Sequence, residues 1–157
     1  MLDDVLTKDH DRIDSDLKEF LVSLSSNADK DKLLSVKDSL KNHMFWEEEY
    51  LFPEVLNENE LRVKGLEAEH GSIIKLLDEI SRLISIDELS EAIKKTQAVM
   101  RVLKGHNETE EGYIYLELDK LDQEKQASLI LQQVKHASAP KDWTCKVLRT
   151  GSLKKYL

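Results

Sequence analysis

The chain has 157 residues, one domain's worth, with only 5 Gly and 2 Pro, 34% charged and 40% hydrophobic residues. So few turn formers argue against an all-β fold and for a helical one. A net charge of −8 argues against nucleic-acid binding, which needs a basic face.

Four long segments carry helical periodicity. The first spans about 2–24, where Leu6, Ile13, Leu17, Phe20, Leu21 and Leu24 form one apolar stripe, ended by Ser25-Ser26-Asn27. The second spans about 29–56, from Leu33 to Val55, and stops at the turn signal Asn57-Glu58-Asn59. Pro53 lies late in it and predicts a kink or a frayed turn near 49–53. The third spans about 60–84, with Leu66, Ile73, Leu77, Ile80 and Leu83, and breaks at Ser85-Ile86-Asp87. The fourth runs from Asp87 to Leu121 and is expected to be irregular near Gly105 and Gly112. A shorter helix is expected over 123–135. The last stretch, 139–157, has no period and sets five basic residues against Asp142. It reads as a loosely ordered terminus, with a basic tail lying against the acidic bundle as the alternative.

Short connections between long helices imply antiparallel neighbours. The predicted fold is therefore all-α: an up-down-up-down four-helix bundle over 1–121, a short fifth helix over 122–138 and an irregular basic tail over 139–157.

Histidine spacing then carries the most information. The midpoint of His10 and His43 falls in the first turn, that of His43 and His70 at the second, and that of His70 and His106 at the third. Antiparallel helices place such residues level, to within about one turn of ~5 Å. Each histidine also shares the apolar stripe of its helix: His10 with Ile13 and Leu17, His70 with Ile73 and Leu77, His43 with Tyr50, His106 with Tyr113. A single buried histidine is ordinary. Four at one level need partners or a cation.

Carboxylates complete the layer. His43-x-x-x-Glu47 and His106-x-x-x-Glu110 each put a His and a Glu one turn apart on one face. The candidate metal ligands are His10, His43, Glu47, His70, His106 and Glu110. Four imidazoles and two carboxylates suit two ions, iron first, manganese or zinc second. The segments starting at His43 and His106 match at an offset of 63, and Lys8-Asp9-His10 resembles Ala68-Glu69-His70. Two similar hairpins related by pseudo-twofold symmetry naturally make a two-ion centre.

These motifs, His10, His43-x-x-x-Glu47 with Tyr50-Leu51-Phe52-Pro53, His70, and His106-x-x-x-Glu110-Glu111, resemble the hemerythrin-like, or HHE cation-binding, family over about residues 1–121. The resemblance implies a non-heme di-iron centre, oxo- or hydroxo-bridged, in a protein that binds or senses oxygen or iron, or repairs iron–sulfur clusters under nitrosative stress. Its small ligands would be O2, NO or peroxide. The alternative function is an oxygen or iron sensor without turnover.

The sequence departs from the oxygen-carrying members. Ile74 stands where their third helix has a second histidine, and Glu110 follows His106 by four residues where they have an Asp at five. The set is one imidazole short, which implies more open positions and favours reactivity over guarded oxygen carriage. Asp14, one turn after His10, is a candidate extra ligand or a solvated flank. Tyr50 and Tyr113, one turn beyond the glutamates, are candidates for hydrogen bonds to a ligand carboxylate or for ordinary core aromatics. Asp9, Glu48, Glu69 and Glu111 point about 100° away from the ligands along their helices, so most are expected in solvent, with one or two as candidates to support a ligand. His136 is expected at the surface.

One cysteine, Cys145, excludes an intramolecular disulfide framework and any multi-Cys metal site. No apolar run reaches the ~18 residues of a membrane span. Met1-Leu2-Asp3-Asp4 lacks the basic start of a signal peptide. A soluble cytoplasmic protein is expected.

Overall fold

The computed structural model describes residues 2–125 and 129–149, and all their side chains except those of 122–125 and 129. Among these residues the chain is all-α, with no strand. Helix α1 is Leu2–Ser23 and α2 is Lys30–Trp46. A π turn, Glu47–Leu51, leads directly into α3, Phe52–Ser85. Helix α4 is Leu89–Thr109, followed by a second π turn, Glu110–Ile114, and α5, Tyr115–Lys125. Two short helices follow among the described residues, α6 (Leu129–His136) and α7 (Lys146–Arg149).

The breaks have local causes. Asp29 caps α2 by accepting the Lys32 N–H, which satisfies a donor the helix cannot. The break expected at 57–59 is a kink at Asn59, whose backbone leaves helical geometry inside α3. The buried Asn59 amide donates to Val55 O and to Glu117 Oε2, and so holds the kink. Asp87 adopts the left-handed conformation (φ 61) between α3 and α4, where the N–H groups of Asp87 and Glu88 cap the end of α3.

In both π turns a backbone N–H reaches five residues back: Phe52 to Glu47 O, and Tyr115 to Glu110 O. The kink expected from Pro53 therefore takes the form of a π turn before it. The equivalent position in the second turn is Leu116, so proline is not the common cause.

Contacts across helix pairs run in opposite order along the chain. Arg12 meets Ser39 while Lys32 meets Glu19. Glu48 meets His70 while Lys37 meets Ser81. Glu110 meets His10 while Asp119 accepts the Leu2 N–H.

The apolar core has two parts. One contains Ile13, Leu17, Phe20, Val36, Leu40, Met44, Ile73, Leu77, Val99 and Leu103. The other contains Leu2, Leu6, Leu51, Phe52, Val63, Leu66, Ile114, Tyr115 and Leu118. On every long helix the divide falls at a buried His or Glu: His10, His43 to Glu47, His70, and His106 to Glu110. A polar layer thus separates two apolar ones.

Of the two readings of the C-terminal segment, its described part follows the one that lays it against the bundle, not the loosely ordered one. Its described part packs on α2 and the first π turn. Trp46 Nε1 donates to Ala137 O, the Ala139 N–H to Asn42 Oδ1, and Trp143 Nε1 to Glu49 Oε1. Trp143 and Cys145 are buried in the first core. Two side chains and a few backbone groups suffice to anchor it, and such anchoring leaves no periodic signal. The expected fifth helix over 123–135 is helical wherever it is described, in α5 to Lys125 and in α6 from Leu129; 126–128 and 150–157 lie outside the described residues. His136 is exposed at the end of α6.

Candidate metal centre

The layer gathers His10, His43, Glu47, His70, His106 and Glu110, none more than 5% exposed. Ligand-capable atoms fall into two groups. His10, His43, Glu47 and Glu110 form one, and Glu47, His70, His106 and Glu110 the other, each within 4.8 Å. In the first, His10 Nε2 lies 3.0 Å from His43 Nε2 and 3.2 Å from Glu110 Oε1. In the second, His70 Nε2 lies 3.1 Å from Glu47 Oε1, and His106 Nε2 lies 3.2 Å from Glu110 Oε1. Glu47 serves both groups: its Oε2 faces His43 at 3.6 Å and its Oε1 faces His70. The four Nε2 atoms converge because all four imidazoles are turned the same way.

Carboxylates hold three of them by hydrogen bonds and face the fourth. His43 Nδ1 meets Asp9 Oδ2 at 2.7 Å, His70 Nδ1 meets Glu48 Oε2 at 2.6 Å, and His106 Nδ1 meets Glu69 Oε1 at 3.2 Å. His10 Nδ1 faces Glu111 Oε2 at 3.7 Å, too far for a hydrogen bond. Each carboxylate adjoins a layer residue in sequence, yet serves the histidine of the next helix, from α1 to α2, α3, α4 and back to α1. Reading each helix alone places most of these four in solvent. Across the helix interface they hold the imidazoles instead.

The structure does not bring Tyr50 or Tyr113 into the layer. Tyr50 packs its ring edge-on against Phe45, and Tyr113 is 55% exposed with Arg62 above its ring. The π turn explains this. A helix of constant pitch brings the residue three or four past a glutamate back to its face, whereas the wider turn brings back the fifth. Those residues are Tyr115 and its repeat-mate Phe52. The Tyr115 hydroxyl, fully buried, lies 3.0 Å from the Nε2 atoms of His10 and His43 and from Glu47 Oε2. Phe52 stacks on His70 with centroids 5.8 Å apart. The aromatic content of the repeat was the available signal, but its phase was not. Asp14 pairs with Lys18 at 3.0 Å and is half exposed, so its carboxylate stays out of the two groups.

Charge in the layer follows from these contacts. Burial opposes a proton on His43, but Glu47 and Asp9 outweigh it and hold the group up at about 9. Glu47 and Glu48 do the same for His70, also to about 9. Burial and the adjacent His43 push His10 down to about 4. Burial also works against the Glu47 carboxylate, but His43, His106 and His70 outweigh it and keep it ionised. Burial beside Glu47 raises Tyr115 well above an ordinary phenol.

The donor set fits a cation. Glu110 Oε2 is buried without a hydrogen-bond partner, a costly arrangement in a protein interior. Imidazole nitrogens and carboxylate oxygens together suit iron, manganese or zinc.

Comparison with known families settles the relationship. The Hemerythrin HHE cation-binding domain matches residues 1–118. The chain belongs to the hemerythrin HHE family. No curated protein and no solved structure matches it. In this HHE chain the matched span holds all six layer residues and both π turns. It therefore carries a cation-binding domain whose buried His/Glu groups suit metal binding. Among the described residues no helix is long and apolar enough to cross a membrane.

A cavity of about 20 Å³ abuts the layer. Ile13, Leu40, Met44, Ile73 and Leu103 line it beside His10, His43, His70 and His106. That volume admits about one water-sized molecule. Tyr115 and Phe52 belong to the second core, and the cavity is lined from the first.

Proposed function

We propose that this HHE domain holds two iron ions, with His10, His43, Glu47 and Glu110 at one position and Glu47, His70, His106 and Glu110 at the other. An oxo or hydroxo bridge between the ions, and an up-down-up-down order of the four long helices, belong to the same reading. The opposite running order of contacts across the helix pairs supports that topology. The observation that carries the metal reading is the Nε2 convergence, with Glu47 offering one oxygen to each group.

Bound iron would supply a site for reversible or reactive binding of O2, NO or peroxide. The chain's own part is to orient and to exclude. Asp9, Glu48 and Glu69 fix three imidazoles by their Nδ1 atoms. The two apolar cores keep bulk water from the layer. The small apolar cavity selects a diatomic or similarly small ligand. A role in stress response or iron–sulfur cluster repair, in a reducing cytoplasm, extends this proposal.

A second reading, an oxygen or iron sensor without turnover, draws on one contact. Glu48 touches His70 through Oε2 and accepts the Lys146 N–H through Oε1 at 2.8 Å. A change in the layer thus has a direct route to the C-terminal segment.

Metal analysis and an absorption spectrum of the protein purified in air test the proposal. Two irons per chain with oxo-to-iron charge-transfer bands, perturbed by azide or NO, are expected. A chain that takes up no iron overturns it. Peroxide or NO turnover abolished in Glu47→Ala favours the reactive reading. Binding without turnover, with tail proteolysis that differs between loaded and metal-free forms, favours the sensor.

A further inference from the structure

We propose that Tyr115 supplies a fifth donor to the His10, His43, Glu47, Glu110 position, so that the two cation positions are chemically unequal. The proposal rests on the two-iron reading above and goes beyond it in adding a ligand that no histidine or carboxylate motif contains.

The distances carry the argument. Tyr115 Oη lies 3.0 Å from His10 Nε2, 3.0 Å from His43 Nε2, 3.0 Å from Glu47 Oε2 and 3.3 Å from Glu110 Oε1. Among the other four atoms, three successive neighbours are 3.0 Å (His10–His43), 3.2 Å (His10–Glu110) and 3.6 Å (His43–Glu47) apart. Around an octahedral ion with bonds of about 2.1 Å, adjacent donors sit about 3.0 Å apart. The hydroxyl therefore stands at donor-to-donor separation from all four atoms. A hydroxyl filling the ion's own place would stand at about 2.1 Å from each. Five donor atoms from five side chains are thus close enough to share one ion.

Burial and asymmetry agree with this. Tyr115 is fully buried, and every hydrogen-bonding atom described around its oxygen belongs to the donor set. Its repeat-mate, Phe52, sits against His70 with no oxygen to offer. The repeat is thus broken at the one atom that reaches the centre. On binding, an O–metal bond replaces the O–H bond, and the proton leaves to bulk water. An anionic phenol oxygen is a hard donor and favours the ferric ion at the position it serves. The His70–His106 position, without it, keeps more open sites and is the one left for a small ligand.

Ferrous iron added to the full-length metal-free chain without oxygen, then exposed to air, provides the test. Iron per chain and resonance Raman spectra are both read. Expected are two irons and tyrosinate ring modes enhanced within a phenolate-to-iron(III) band. That band should vanish in Tyr115→Phe, with helicity unchanged by circular dichroism, and survive in Tyr50→Phe and Tyr113→Phe. Two irons without tyrosinate modes in the wild-type chain overturn the proposal and leave the two-iron reading standing, whatever the variants do. Modes that persist in Tyr115→Phe overturn it equally. No iron uptake by the wild-type chain overturns both.

Discussion

His70 Nδ1 and Glu48 Oε2 lie 2.6 Å apart, the shortest of the three hydrogen bonds that orient the imidazoles. The other Glu48 oxygen accepts the Lys146 backbone N–H, so His70 is the one side chain described as hydrogen-bonded to it. Glu48→Gln replaces an anionic acceptor with an amide of the same length. Metal affinity should fall about 10–100-fold, measured by competition with a chelator, while helical content stays the same. An unchanged affinity would show that the packing alone orients His70.

Glu47, like Glu110, belongs to both groups. Its loss removes an oxygen from each at once, so Glu47→Ala should lower metal content from two ions per chain to one or none. Asp14→Ala, by contrast, should leave metal content intact, since its carboxylate pairs with Lys18. Elemental analysis of the two purified variants distinguishes the outcomes. Equal losses in both would place Asp14 among the ligands.

Protons and cations compete for the same nitrogens. In the metal-free chain His43 and His70 stay protonated up to about 9, against an ordinary histidine value of 6.5. Metal binding must expel those protons, so affinity should rise with pH between 6.5 and about 9, by up to about tenfold per unit for each proton released. The stability of the metal-free chain should move the other way. A histidine raised in the folded state stabilises fully below its unfolded value and loses that contribution as pH climbs through its folded value. Thermal melts of metal-free protein should therefore weaken towards pH 9, while the loaded form shows no such decline. Parallel pH profiles for the two forms would refute the assignment.

Cys145 is fully buried, and burial pushes its thiol up to about 11. A thiol reagent should label the native chain very slowly. Trp143→Ala removes the ring that anchors the segment on Phe45 and Glu49. It should cost about 3 kcal/mol if the segment stays docked, or free the segment and expose the thiol. Labelling kinetics beside a denaturation curve separate the two. Fast labelling of the wild-type chain would contradict the burial.

Much of this arrangement is legible in the residues themselves. His10, His43, His70 and His106 average onto turns marked by Ser, Asn and Asp, and such averages need only helical rise and short connections. Three features resist that arithmetic. The π turns shift phase by one residue, which takes Tyr113 out to Arg62 and brings Tyr115 in; a constant 3.6-residue period has no place for them. Asp9, Glu48, Glu69 and Glu111 act on a neighbouring helix, and the angle of a residue on its own helix says nothing about what stands opposite. The segment around Trp143 is held by isolated anchors, which leave no pattern to detect.

The four outer carboxylates have a mechanical consequence. Each long helix gives a carboxylate to one neighbour and receives one from the other, so the helices are geared like wheels in a closed train. A slide of one helix by a single residue, about 1.5 Å, strains two meshing points together. No helix can creep alone without unseating its own histidine and its neighbour's. The train has one slack tooth, the 3.7 Å gap between Glu111 and His10. It lies at the seam of α1 and α4, where an open groove lined by Asp14, Lys18, Lys104 and Asn107 reaches His10. Motion that admits a ligand to the layer should begin at that seam.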